Sequence, residues 1–148
     1  MTALDTSVLI PALVEWHVAH QLCHDAAHEA TVPAHALLEA YAVLTRLPAP
    51  HRIATSDAAR LLDARFGATD VLVPPPELHR RLPALLAGSE IGGGASYDAL
   101  VGLTAQLHGH QLMTRDRRAA RTYARLGVDV AIIDGGDGVR GAAAEQHH

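Results

Sequence analysis

Strand-like and helix-like segments alternate along this 148-residue chain, and several of the strand-like ones are continuous apolar runs. The segments at 30–33 (ATVP), 70–74 (DVLVP) and 128–133 (VDVAII) are the clearest. A strand that is apolar on both sides must be covered on both sides. That requirement defines an α/β protein with a mainly parallel sheet between helices. Further strands are expected at 1–5 and 110–114. Helices are expected at 18–29, 34–47, 56–67, 75–88 (interrupted near Pro83), 96–109 and 116–127. Thr6 or Ser7 would cap a helix after the first strand, and Ser56, Asp57 and Ser96 would cap later ones, with Gly67 closing the helix at 56–67. Residues 1–133 form one domain in this reading. Residues 134–148 are Gly/Ala-rich without period and read as a disordered tail.

In such sheets ligands lie beyond the carboxyl ends of the strands. Four acids fall where that geometry matters. Asp5 ends the first strand, and Asp116 follows the strand at 110–114. Asp98 opens the helix at 96–109, and Glu39 sits mid-helix among Leu37, Leu38, Ala40 and Tyr41. A carboxylate in an apolar setting is costly unless something compensates it. One shared divalent cation would compensate several at once, and clustered oxygen ligands select hard ions such as Mg2+ or Mn2+. Asp5, Asp98 and Asp116 also have a plainer reading, because acids near helix N-termini cap them and favour the macrodipole. Glu39 lacks that reading. Its alternatives are an exposed position or a pairing with Arg46.

Net charge is −4, from 12 basic and 16 acidic residues. If four acids serve a cation, 12 face 12, and local basic patches become possible. Arg115, Arg117, Arg118, Arg121 and Arg125 cluster beside Asp116, either as a phosphate-binding patch or as a solvated helix face. Lysine is absent. This weakens the P-loop hydrolases, which need one on the phosphates, and likewise receiver domains and haloacid-dehalogenase-like phosphatases. The latter would also need an Asp-x-Asp pair, and Ser7 fills the second position. Aromatics are 3%, so the core must be built from Ala, Val, Leu and Ile. The single Cys23 points to a reducing cytoplasm and to a small buried side chain. No signal peptide or membrane-spanning run is read in the chain.

The segments LDTSVLI, LLEAYAVLTRLP, SYDALVGLTAQLHG and LMTRDRRAARTY carry the four acids in order. Together they resemble the motifs of PIN-domain ribonucleases, and more narrowly the toxin subunits of VapBC-type toxin–antitoxin pairs. The resemblance extends to about residue 133. It implies a three-layer α/β/α sandwich and a metal-dependent endoribonuclease. It carries Asp5, Glu39, Asp98 and Asp116 over as metal-binding and catalytic acids for Mg2+ or Mn2+. Thr6 and Thr114 match supporting hydroxyl positions, and Ser7 stands where many relatives have Asn. An RNA substrate, a homodimer and a small antitoxin over the acidic site are also implied, with Arg115, Arg117 and Arg118 as candidate RNA contacts. Two other readings keep the fold: an RNA-processing nuclease without an antitoxin, and a non-catalytic RNA- or protein-binding module.

His20, His24 and His28 are spaced i, i+4, i+8 with His17 nearby. They read as a solvated stripe or, less simply, as a Zn2+ or Ni2+ site. Trp16 and Tyr41 read as packing residues. Gly92, Gly93 and Gly94 read as a flexible loop, since no strand precedes them.

Overall fold

A computed structural model describes residues 1–134 and the backbone of residues 138–141. Strand β1 (Thr2–Leu4) runs parallel to β4 (Gln111–Thr114), and β4 runs parallel to β5 (Val130–Asp134). On the other side, β2 (Val32–Pro33) pairs in parallel with β3 (Val71–Leu72). A parallel bridge between Ala3 and Thr31 joins this pair to β1. The backbone bond from Leu4 N to Thr31 O, 2.9 Å, belongs to that junction. The parallel sheet therefore reads β3-β2-β1-β4-β5. At its far edge β6 (Gly138–Gly141) pairs antiparallel with β5. Apart from Asp134 and that strand, the expected disordered tail lies outside the described residues.

Among the described residues seven α-helices connect these strands: α1 (Thr6–Leu13), α2 (His20–Ala26), α3 (Ala34–Arg46), α4 (Thr55–Arg65), α5 (Pro76–Gly88), α6 (Ala95–Leu107) and α7 (Arg117–Arg125). With the sheet between them they make the α/β/α sandwich. The strands are buried on both faces because their residues offer no polar side; Ala3, Leu4, Val32, Leu112 and Ile133 are all 1% exposed or less. The core is aliphatic, as the composition requires, with a conspicuous exception. Tyr123 heads the fully buried side chains by volume.

Helix ends depart from expectation. Asp5 caps α1 by accepting from Ser7 N, so neither Thr6 nor Ser7 is the cap residue. Helix α4 starts at Thr55 behind Ala54, which leaves Ser56 and Asp57 inside its first turn. Asp57 there accepts from Arg60, 2.6 Å away, and not from the backbone. Phe66 in extended conformation, not Gly67, ends α4. Gly94 precedes α6, so Ser96 lies within the helix. Pro83 sits inside α5 without ending it. The expected 18–29 helix shrinks to α2, followed by Glu29 at a positive φ of 60°.

Candidate active site

The register of the sheet assembles the first part of the site. Leu4 is opposite Met113, so the residues that follow, Asp5 and Thr114, emerge side by side at the carboxyl edge. Asp5 N donates to Met113 O at 3.1 Å. The Asp5 side chain is only 5% exposed and has donors on both oxygens. Oδ1 accepts from Ser7 N at 3.0 Å and from Ser7 Oγ at 2.6 Å. Oδ2 accepts from the Tyr123 hydroxyl at 3.0 Å. Burial pushes the Asp5 carboxyl above its ordinary range, and the donors from Ser7, Thr114 and Tyr123 pull it back.

Ser7 is the centre of this network. Its Oγ lies 3.2 Å from Thr114 Oγ1 and accepts from Arg115 N at 2.7 Å. Thr114 Oγ1 in turn accepts from Asp116 N at 3.1 Å. Asp116 caps α7, its Oδ1 accepting from Arg118 N at 2.9 Å and Ala119 N at 3.1 Å. The capping reading therefore holds for Asp5 and Asp116 without removing them from the site, since each offers one oxygen to its helix. Asp98 lies in the first turn of α6 and makes no cap bond.

Glu39 reaches the same place from α3. Thr6 Oγ1 donates to its Oε1 at 2.5 Å, and His35 Nε2 stands 4.0 Å from Oε2. Its partners are thus Thr6 and His35, and the alternative pairing with Arg46 is not made. Asp5, Glu39, Asp98 and Asp116 border one pocket of about 80 Å³, with Thr6, Ser7, Val101, Ala119 and Tyr123 completing the wall. Their charges act on one another. Burial, then the carboxylates of Asp116, Asp5 and Glu39, push Asp98 up to about 6, against a smaller opposing pull from Arg118.

The chemistry of this donor set suits a hard cation. Among the described residues no three His, Cys, Asp or Glu side chains are drawn together as a ready-made cage for one ion. Four carboxylates around a small pocket, two already anchored by hydroxyls, fit an ion such as Mg2+ that keeps several of its waters.

The expected arginine patch divides. Arg118 faces the acids closely enough to oppose the rise at Asp98. Arg117 approaches Asp134, with 4.0 Å between Nη2 and Oδ2. The charge of Arg115 acts on His17 and Cys23, and its Nε is buried without a hydrogen-bond partner. Arg125 donates to Ser89 O, well away from the acids. His20, His24 and His28 line one pocket, with the His20 and His24 ring centroids 5.5 Å apart, but among the described residues they do not draw together as a metal cage. His20 Nδ1 contacts Pro11 O at 2.8 Å, and His28 lies beyond the end of α2. Cys23 is fully buried, as expected of a small core side chain. Trp16, expected to pack inside, is 51% exposed and stacks on His51 with centroids 4.1 Å apart.

Tyr123 was not legible as a site residue. It stands seven residues after Asp116, two helical turns on and so on the same face, which is the signal that could have found it. Burial, followed by the charges of Asp5 and Asp98, raises its phenol well above the ordinary value, so it stays a donor to Asp5.

A domain with this sheet order and acidic pocket is defined by its family. The PIN domain profile matches residues 2–125, and the chain belongs to the PIN-domain family. Within it the chain is of the VapC type. It is 51% identical over 132 residues to Ribonuclease VapC27 of Mycobacterium tuberculosis, spanning 88% of this chain and 95% of that protein. Ribonuclease VapC40 of the same species is 43% identical over 134 residues, spanning 90% and 99%. Among solved structures, Mycobacterium tuberculosis VapC20, described as a sarcin-ricin loop cleaving toxin, superposes with a TM-score of 0.64 at 16% identity, over 86% of this chain and 96% of that one. FitAB bound to the IR36 DNA fragment gives 0.60 at 16% identity, over 88% and 93%. These two structures support the fold.

Proposed function

We propose that the chain is a Mg2+- or Mn2+-dependent endoribonuclease and the toxin half of a toxin–antitoxin pair. The observation that carries this reading is the convergence of Asp5, Glu39, Asp98 and Asp116, from four separate segments, on one pocket at the carboxyl edge of the sheet. Relatives bearing the name ribonuclease support the choice of substrate. When bound, the divalent ion supplies the activated water and the charge neutralisation that phosphodiester hydrolysis requires. The four carboxylates hold it, directly or through water, and Asp116 orients the attacking water. Ser7, Thr114 and Tyr123 hold Asp5 in one orientation, and Thr6 does the same for Glu39. No 2′-hydroxyl attack is needed, so the products carry 5′-phosphate and 3′-hydroxyl ends.

Cleavage of single-stranded RNA with Mg2+ should be abolished by EDTA. It should fall by at least about a hundredfold in Asp5→Ala. An Asp5→Ala protein that cleaves at the full rate would overturn the assignment. Arg118, whose charge acts on Asp98, and Arg117 beside it in sequence are assigned to the RNA backbone, where contacts fix position and not sequence. Cleavage should then weaken steeply between low and moderate salt. A flat profile would return these arginines to the solvent. A homodimer and an antitoxin that covers the acidic pocket complete the reading. No described helix is long and apolar enough to cross a membrane.

A further inference from the structure

Beside the acidic pocket lies a second, shallower one of about 270 Å³, lined by His35, Leu38, Glu39, Ala42 and Tyr97. Glu39 belongs to the walls of both, so the two adjoin across its side chain. Tyr97 immediately precedes Asp98 and is 57% exposed. It lies almost parallel to His35, with ring centroids 5.3 Å apart and 4° between the planes. His35 is on α3 one turn before Glu39, so this stack ties together the two helices that deliver Glu39 and Asp98. Aromatic rings are scarce in the chain, and an exposed one at this place does not fill the core.

We propose that Tyr97, backed by His35, is a stacking platform for one base of the RNA next to the scissile phosphate. The proposal rests on the nuclease reading of the acidic pocket. A flat ring held by a second ring is what an unpaired base needs, because every base has a π-face and stacking tolerates any sequence. Leu38 supplies an apolar edge for that base and is 66% exposed. Glu39 favours RNA over an apolar protein side chain as occupant. An apolar side chain seated here would desolvate the Glu39 carboxylate and offer it nothing in return. A nucleotide brings its phosphate, with its cation, to the same carboxylate.

The test uses the full chain and single-stranded oligoribonucleotides in which 2-aminopurine replaces one base at a time, with Ca2+ in place of Mg2+ to suppress cleavage. Quenching is expected at one position beside the cleavage point. It should be lost in Tyr97→Ala and kept in Tyr97→Trp. In Mg2+, Tyr97→Ala should raise KM for RNA about tenfold or more, while Mn2+ binding followed by electron paramagnetic resonance stays unchanged. RNA binding and quenching by Tyr97→Ala equal to those of the parent chain would overturn the proposal. So would a Tyr97→Ala variant altered only in oligomeric mass or in its capture of a protein partner. The quenching arm does not depend on cleavage. A parent chain that quenches 2-aminopurine but neither binds Mn2+ nor cleaves RNA therefore refutes the nuclease reading and leaves the platform standing.

Discussion

Asp98→Asn is expected to do two opposite things: abolish RNA cleavage and stabilise the metal-free fold. The loss of activity should be on the order of a thousandfold, because in the proposed function Asp98 contributes charge where the divalent cation is held. The gain in stability follows from its titration. Burial and three neighbouring carboxylates raise Asp98 from 3.8 to about 6. Between those values the folded chain binds more protons than the unfolded one, so stability falls as pH rises through that interval and stays lower above it. Asparagine carries no charge and escapes the loss. The gain should therefore be absent below about pH 4 and full above about pH 6. Asp98 is half-buried, and after allowance for solvent screening the effect is on the order of 1 kcal/mol. Thermal melts of both proteins in EDTA at pH 4 and pH 7.5 check it. A variant that melts no higher than the parent chain at pH 7.5 would mean that burial and the neighbouring acids do not penalise the Asp98 charge in the folded state.

Gly102→Ala should damage both the fold and the site, through one contact. A Cβ at Gly102 would lie 2.8 Å from Tyr123 Cδ1 and 3.2 Å from Val128 Cγ2. Tyr123 is 1% exposed and cannot swing away. Overpacking of this kind costs about 1–3 kcal/mol, which lowers Tm by several degrees. Displacement of the ring also strains the 3.0 Å bond from its hydroxyl to Asp5. Tyr123→Phe separates the two effects. It keeps the ring on Gly102 and removes only the donor, so the fold should survive while cleavage falls about ten- to a hundredfold, as when the partner that orients a metal ligand is lost. Circular dichroism melts beside kcat and the apparent Mg2+ affinity make the comparison. Full activity in Tyr123→Phe would reduce the bond to packing.

The alternation of apolar runs and helices was enough to read the fold class. Asp5 and Asp116 could be expected to meet, because residues that end strands in a parallel sheet emerge at one edge. Glu39 and Asp98, on helices, were joined to them only through the family resemblance, and the structure brings all four to one pocket. Glu39 could be assigned no capping role in the sequence, and the structure gives it one partner from outside its own helix, Thr6, and one from the preceding turn of α3, His35. The arginines were less legible. Five of them crowd around Asp116 in sequence, yet the charge of Arg115 acts on His17 and Cys23 while that of Arg118 acts on Asp98. A 3.6-residue turn sends neighbours to different sides, and the side of a strand-end residue depends on the pleat. Helix caps were misjudged for a related reason. Ser56, Asp57 and Ser96 are good caps by type, but residue type alone does not fix where a helix begins, and the observed cap positions are Ala54 and Gly94, two or three residues earlier.

By itself the sequence determined which residues could not be left in water and which carboxylates needed compensation, since both follow from the chemistry of each side chain in its local run. Only the tertiary structure decided how those carboxylates are held. The bonds from Tyr123 to Asp5, from Ser7 toward Thr114 and from Thr6 to Glu39 span 118, 107 and 33 positions. They depend on sheet register and on the close seat of a ring against Gly102. Neither has a local signature, because each is a meeting of side chains whose separation along the chain says nothing of their distance in space.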